Sequence, residues 1–300
     1  MRLIKPNVEI IEQSDYTLDG IYKMIELAGR TCYKSEDKIT ETSAKEFVNR
    51  MIKSGHGAML EHGTVYLKII GAFLDPKDCD VAYGNYTVSH FVRNKYSKVV
   101  IKHDKEWKSN VYITTNYRVI IENNWLDDLV YLCEPTEFHE KRITVKWTTD
   151  RVTGESFLRH RVFSFAREST RYCNYSKDKF GNEIKFIIPT WAEVNKFGEI
   201  VADDNECFYH FKQSLEFAEA NYFTLLKNGW QPQQARQVLP FSVHSPLVMT
   251  GFESDWKGFF DLRCDKAAHP DAQYLAKMLL TKFNDLNPKF FKDYYEKYCK

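Results

Sequence analysis

The stretch RHRVFSFARESTRY, residues 159–172, holds four arginines and one histidine in fourteen positions but no lysine. The lysine-free segment extends from Trp147 to Ser176, although lysine outnumbers arginine 29 to 13 over the whole chain. Arginine presents a planar fork of donors that matches a phosphate or carboxylate two bonds at a time, whereas lysine is a point charge. The stretch therefore predicts a site that orients an anion.

Acidic partners are scarce around these arginines, since only two acids stand against five arginines between residues 151 and 171. A solvated face paired with nearby acids is therefore the weaker interpretation. If residues 165–172 form a helical turn or two, Arg167 and Arg171 lie one turn apart on one face, with Ser169 close by as a hydroxyl donor. That arrangement suits a phosphate monoester.

Bulk composition excludes several classes of protein. The net charge of +1 with 28% charged residues gives no global basic field for nucleic acid or an anionic membrane. No run reaches the roughly 20 apolar residues that a membrane span needs, and the start has no leader pattern. The seven cysteines are an odd number without a CxxC pair, which argues against a disulfide framework and a zinc finger. We expect a cytoplasmic protein with reduced thiols and no metal.

Periodicity predicts one α+β domain over residues 1–300, because no repeat or linker divides the chain. Residues 71 to about 110 have little periodicity, which indicates an insertion or excursion around 71–140. The Ser43–Glu46 segment has the form of a capping box, and the helix that it opens should stop at Gly55. Strands are predicted at 8–11, 64–70, 111–115, 143–147 and 184–188, and further helices at 18–31, 118–132, 208–228, 232–238, 254–262 and 271–283, with a last one through 294.

Five ordered blocks resemble one known family. Arg159, His160 and Arg161, followed after seven residues by Ser169, look like the RHRx7S signature of the flavin-dependent thymidylate synthases, or thymidylate synthase complementing family. The run ESTRYCNYSK from residue 168 is also similar. Flanking blocks that agree, in the family's order, are GRTCYKS (29–35), GHGAMLEH (55–62), ARQVLP (235–240) and FFDLRCDKAAHPDAQ (259–273).

The resemblance implies a fold and a reaction. The fold is a mainly antiparallel central sheet flanked by helices. The reaction is the methylation of dUMP to dTMP with methylenetetrahydrofolate as carbon donor, FAD as hydride carrier and NADPH as reductant. A homotetramer with active sites shared between subunits is also implied. Because a flavin hydride reduces the uracil ring without an enzyme nucleophile, no cysteine is assigned as a nucleophile.

The resemblance also assigns residues by position. Arg263 and Ser169 take the catalytic roles, and His269 is matched near the flavin despite a spacing from Arg263 that is two residues longer. The chain departs from the family where Arg167 and Ser156 replace Gln or Glu, and where Gly258 and Phe252 replace flavin-contacting asparagines. The dUMP set is Ser169, Arg171, Arg236, Arg263, Arg159, Arg167 and Ser156, and the FAD set is His62, Thr64, Cys32, Arg159, His160, Arg161 and His269.

Three other functions are weaker. A metal hydrolase built on His56, Glu61 and His62 lacks the i, i+4 spacing that places helical ligands on one face. A binder of RNA or single-stranded nucleic acid would use the arginines and aromatic rings of residues 151–175, but usually carries a higher net charge. A hydrolase pair of Ser169 and His160 lacks the GxSxG elbow.

Overall fold

The computed structural model describes residues 1–74, 81–83, 86–87, 89–103, 109–171, 173–177, 181–192 and 206–300, with side chains described for all of these except residues 72–88. The chain combines helices with mainly antiparallel sheets, which agrees with the α+β prediction. The strands are β1 Arg2–Ile4, β2 Asn7–Ile11, β3 Thr64–Leu74, β4 Val81–Tyr83, β5 Tyr86–Thr87, β6 Lys98–His103, β7 Ser109–Asn116, β8 Arg142–Thr148, β9 Ser164–Arg167, β10 Lys185–Ile187 and β11 Leu247–Phe252. The helices are α1 Leu18–Tyr33, α2 Ser43–Lys53, α3 Gly57–Leu60, α4 Ser89–Arg93, α5 Tyr117–Glu122, α6 Arg151–Leu158, α7 Glu206–Lys227, α8 Pro232–Ala235, α9 Glu253–Arg263, α10 Pro270–Leu286 and α11 Pro288–Cys299.

A four-stranded antiparallel sheet, in the order β2-β8-β11-β9, supports the helices that carry the candidate site. On one face, Trp147 of β8 lies 4.7 Å from the ring of Phe157 on α6 and 5.6 Å from that of Phe259 on α9, measured between centroids. All three side chains are fully buried. Aromatic packing of this kind fixes α6 and α9 against the sheet because it removes large apolar areas from water.

The other face of this sheet packs against α1. Ala166 of β9 and Val248 of β11 belong to one buried apolar cluster with Ile25 of α1 and Val65 of β3. Strand β3 belongs to a second antiparallel sheet, in the order β5-β4-β3-β7-β6. The chain between residues 71 and 116 therefore contributes strands to this second sheet, and a register shift interrupts the pairing of β3 with β7.

A third apolar cluster lies under α7. Leu215 and Tyr222 of this helix are buried with Phe186 of β10, which pairs in parallel with β1. Gly229 has a φ of +92°, a left-handed conformation that suits glycine and ends the helix where the sequence predicts. Among the residues that the structure describes, no helix is long and apolar enough to cross a membrane.

Two predicted helix features are wrong. The helix expected over 118–132 ends at Glu122, because Asn124 adopts a left-handed φ of +59° and the chain continues as a 3-10 turn at Leu126–Tyr131. The expected capping box at Ser43 does not form. Ser43 is the first helical residue, and its hydroxyl donates to the buried Glu26.

Candidate active site

Helix α6 connects two clusters of arginine side chains. Its N-cap, Asp150, accepts a 2.6 Å hydrogen bond from the Thr153 amide, which satisfies a free donor of the first turn. The Arg151 amide donates to the carbonyl of Phe241 at 3.0 Å. At the other end the helix is capped by Arg159. The fixed helix thus holds Arg151 and Arg159 at opposite ends of the site.

Arg167 joins α6 to the sheet. Its Nε donates to the Ser245 hydroxyl at 2.9 Å, its Nη1 to Glu155 at 2.7 Å and its Nη2 to the carbonyl of Arg151 at 3.0 Å. The conditional prediction of a helix at 165–172 is wrong at its start, because Ser164–Arg167 is a strand paired with β11. Arg167 therefore connects β9 with α6, and the role at the nucleotide that the resemblance assigns to it stays a prediction.

A cavity of 230 Å³ adjoins the start of α6. In it, Nη1 of Arg236 donates to the hydroxyl of the buried Thr170 at 3.0 Å. Among the described residues, two guanidinium groups and no carboxylate line this cavity, so it is suited to an anion. The described lining residues are Arg151, Thr170, Arg236, Gln237, Leu239, Phe241 and Val243.

The backbone around Ser169 is fixed from both sides. The Ser169 amide donates to the carbonyl of Cys32 at 3.0 Å, and its carbonyl accepts from the Cys173 amide at 3.1 Å. Within the part of the chain that the structure describes, the Ser169 hydroxyl has no protein partner. Cys32 contributes its carbonyl here, and burial raises the pKa of its thiol to about 11. Ser169 is therefore held in place with its hydroxyl available.

A buried ionic network supports the same segment. Tyr175 donates its hydroxyl to the buried Glu168 at 2.5 Å, and the ammonium group of Lys34 lies 3.3 Å from the other carboxylate oxygen. Lys34 adopts a left-handed φ of +47° at the end of α1, an unusual conformation for a residue with a side chain. This network fixes the position of Glu168 immediately before Ser169.

The second arginine cluster lies at the end of α6. Nε of Arg263, at the end of α9, donates to Nε2 of His160 at 2.9 Å, and Nη2 donates to the carbonyl of Ser156 at 2.6 Å. Burial, together with the charges of Arg263 and Arg159, lowers the pKa of His160 to about 4. His160 is therefore neutral near pH 7, and its proton lies on Nδ1 because Nε2 is the acceptor.

The charges of this cluster favour an anionic ligand. Burial and the nearby charge of Arg159 lower the pKa of Arg263, so an anion placed between the two guanidinium groups would relieve their repulsion. Arg159 and Arg161 are exposed. Ser156 takes part through its carbonyl, because its hydroxyl donates to the carbonyl of Thr153 at 2.7 Å. The contact of the Ser156 side chain with the nucleotide stays a prediction.

Two predicted flavin contacts lie inside the protein. His62 is fully buried, and its Nδ1 lies 2.8 Å from the hydroxyl of Thr250. Thr64 is also buried, and its hydroxyl accepts from Arg142 at 3.3 Å. Protein atoms cover both side chains in this structure, and their assignment as flavin contacts stays a prediction. The resemblance aligned their positions but carried no information about burial.

The buried His62 gives the fold a pH dependence. Burial is the main cause that lowers its pKa from 6.5 to about 3, so the unfolded chain binds a proton in this range that the folded chain does not. The free energy of unfolding is therefore highest above pH 6.5 and falls as the pH decreases towards 3. For this group we expect a loss of about 2 kcal/mol between pH 7 and pH 5.

Urea unfolding of a His62→Asn variant tests this expectation. Asparagine keeps a polar side chain but does not titrate, so the difference in unfolding free energy between pH 7 and pH 5 should shrink by that amount. His210→Asn, at an exposed position, is the control and should keep the wild-type difference. An unchanged difference in the His62 variant would contradict the assigned burial effect.

His269, and the two positions where the chain lacks the family's asparagines, lie elsewhere on the surface and in the core. His269 is exposed before α10, with its ring 5.8 Å from that of Trp191. Gly258 is open to solvent on α9. Phe252 is buried and lies within 5.6 Å of the Arg142 guanidinium.

The described aromatic rings of residues 151–175 do not support the alternative of nucleic-acid binding. Phe163 and Tyr175 are buried, and Phe165 is half-buried against the apolar core. Tyr172 lies outside the described residues. Base stacking requires exposed ring faces, so the described aromatic residues of this stretch do not supply them.

Comparison with known proteins finds one family whose model matches the sequence of this chain. The family model described as "Thymidylate synthase complementing protein" matches residues 83–289. A flavin-dependent thymidylate synthase of Pyrococcus abyssi is 30% identical over 141 residues, which cover 46% of this chain and 53% of that protein. One of Corynebacterium aurimucosum is 21% identical over 280 residues, covering 91% of this chain and 79% of that protein.

Coverage differs among these matches. The chain spans about half the length of the first curated relatives that it matches. Among solved structures, the UMP/dUMP methylase PolB from Streptomyces cacaoi bound with 5-Br dUMP aligns over 99% of this chain and 98% of that chain, at 18% identity and a TM-score of 0.45.

Proposed function

Because the chain belongs to the thymidylate synthase complementing protein family, we propose that it is a flavin-dependent thymidylate synthase that methylates dUMP to dTMP. The observation that carries this proposal is the pair of arginine clusters held at the two ends of α6. One contains the cavity with Arg236 and Thr170, and the other contains Arg263 with the neutral His160. Two oriented cationic sites next to the two ends of one helix suit a ligand with a phosphate and a polarisable ring.

In the proposed site, the nucleotide phosphate occupies the cavity at the start of α6. Arg236 supplies a fork of donors whose orientation Thr170 fixes, and Ser169 and Arg171 add further donors from the preceding segment. Arg263 would polarise the uracil, since its guanidinium is already held by His160 and by the carbonyl of Ser156. Charge aimed at a ring oxygen stabilises negative charge that develops there.

The chain's residues also fit a flavin. Arg159 and Arg161 are exposed cations that would neutralise its pyrophosphate, and His160 would donate from Nδ1. Cys32 and His269 stay proposed contacts, of which Cys32 has a protonated thiol. When bound, FAD supplies a hydride that originates from NADPH, and methylenetetrahydrofolate supplies the carbon.

We further propose a homotetramer with shared active sites. Exposed apolar side chains flank the arginine clusters, which indicates a surface that another subunit covers. Val162 is 66% exposed, Leu262 62% and Phe241 71%. Residues 1–300 would form one domain of this assembly. A cytoplasmic location is proposed because the seven cysteines of the sequence are an odd number without a CxxC pair.

An Arg236→Lys variant tests the phosphate contact. Lysine keeps the charge but loses the fork that binds phosphate and Thr170 together, so we expect the Kd for dUMP to rise about tenfold or more. The Kd for FAD should change less than twofold. Lys227→Gln, at the end of α7, is a control that should change neither. Equal weakening of both ligands would contradict the assignment.

Flavin uptake tests the cofactor. The purified protein should be yellow or take up FAD, and NADPH should bleach the flavin absorbance under anaerobic conditions. Protein that stays colourless after incubation with FAD would contradict the proposed function.

A further inference from the structure

A second basic cavity lies between α1 and α2, among residues to which no role has been assigned above. Its volume is 450 Å³, within the usual range for small-molecule sites. The floor is apolar, since Phe47 and Met51 are buried. The described lining residues are Arg30, Tyr33, Ser35, Lys38, Phe47, Arg50, Met51, Ser54 and His56.

The charge of this cavity is strongly positive. Arg30, Lys38 and Arg50 line it, and no carboxylate is among its described lining residues. Arg30 is held by the buried Glu26, to which its Nη2 donates at 2.8 Å. That ion pair cancels one charge and leaves Lys38 and Arg50, both exposed, as cations for a ligand.

Arginine and aromatic side chains are combined in this cavity. The guanidinium carbons of Arg30 and Arg50 lie 4.9 and 5.2 Å from the centroid of the Phe47 ring. These contacts restrict the guanidinium groups, so less side-chain entropy is lost when they bind an anion. The cavity therefore offers a partly oriented phosphate site.

Two nearly parallel rings, those of Tyr33 and His56, line the same cavity. The hydroxyl of Tyr33 lies 2.8 Å from Nδ1 of His56, and the two rings are within 20° of parallel with centroids 6.5 Å apart. Paired rings of this kind offer a stacking surface for a purine. The cavity thus combines a place for a flat ring with cations for a phosphate monoester.

We propose that this cavity binds the adenosine 2′-phosphate end of NADPH and so selects NADPH over NADH as the reductant. The proposal rests on the proposed function, which requires a nicotinamide donor. The 2′-phosphate is the group that distinguishes the two dinucleotides, and Arg50 with Lys38 is placed to bind it. The folate tail carries carboxylates instead, which makes it the alternative ligand that the test must separate.

Calorimetric titration of the FAD-loaded protein with adenosine 2′,5′-bisphosphate tests the site directly. We expect this probe to bind at least tenfold more tightly than 5′-AMP, which lacks the 2′-phosphate. Arg50→Gln should weaken the bisphosphate about tenfold and 5′-AMP less than twofold. The control Lys53→Gln, three residues further along α2 and outside the cavity lining, should change neither.

Flavin reduction gives a second readout. Arg50→Gln should raise the KM for NADPH about tenfold and leave the KM for NADH unchanged. Bisphosphate binding that is unaffected by Arg50→Gln would overturn the proposal, as would weakening of 4-aminobenzoyl-glutamate in its place. Because the titrations need neither dUMP nor turnover, failure of this site is distinguishable from failure of the proposed dUMP methylation.

Discussion

An Arg263→Lys variant is expected to lose two to three orders of magnitude in kcat for dTMP formation. The guanidinium donates at once to Nε2 of His160 and to the carbonyl of Ser156. A single ammonium group does not reproduce this fixed fork, so it does not hold charge at the same point against the uracil. Removing one such oriented donor costs about 10²- to 10³-fold in other enzymes.

The measurement is steady-state dTMP formation, with thermal unfolding as a check on the fold. Lys266→Gln, in the exposed turn that follows α9, is the matched control and should keep wild-type kcat. If Arg263→Lys retained kcat within threefold, Arg263 would not be a catalytic residue.

A Phe259→Ala variant is expected to lose about 3 to 5 kcal/mol of unfolding free energy. Phe259 is fully buried, with its ring centroid 5.1 Å from that of Phe157 and 5.4 Å from that of Trp256. It also lies 5.0 Å from the ring of His160, so the cavity left behind would loosen the histidine that Arg263 holds. We therefore expect the Phe259→Ala variant to form dTMP more slowly than the wild-type protein under conditions in which it is still folded.

Urea unfolding measures this loss. Lys266→Ala lies seven residues further along the chain, at an exposed position in the turn that follows α9, and it should change the unfolding free energy by less than about 0.5 kcal/mol. Similar losses in the two variants would contradict the assigned contribution of Phe259 to the buried core.

Long periodic elements were predictable from the sequence. The regular apolar spacing of α7 and its stop at Gly229 appear in the structure as expected. The end of the helix within residues 118–132 was not predictable, because Asn124 interrupts a pattern that is otherwise helical. At Ser164–Arg167 the apolar and polar residues fit either a helix or a strand, and only pairing with β11 decides between them.

The candidate site was predictable mainly through the resemblance. Arg236 and Arg263 are isolated arginines in the sequence, and their partners Thr170 and His160 lie 66 and 103 residues away. Long-range partners of this kind leave no local signal. The same limit applies to His62, whose hydrogen-bond partner Thr250 lies 188 residues along the chain.

The most direct test of the proposed function is the fate of dUMP labelled with tritium at C5. With FAD, NADPH and methylenetetrahydrofolate supplied, we predict release of tritium into water in step with the formation of dTMP. Omitting FAD or the folate should stop dTMP formation. A protein that holds FAD and binds dUMP, but releases no tritium and forms no dTMP under these conditions, would contradict the proposed dUMP methylation.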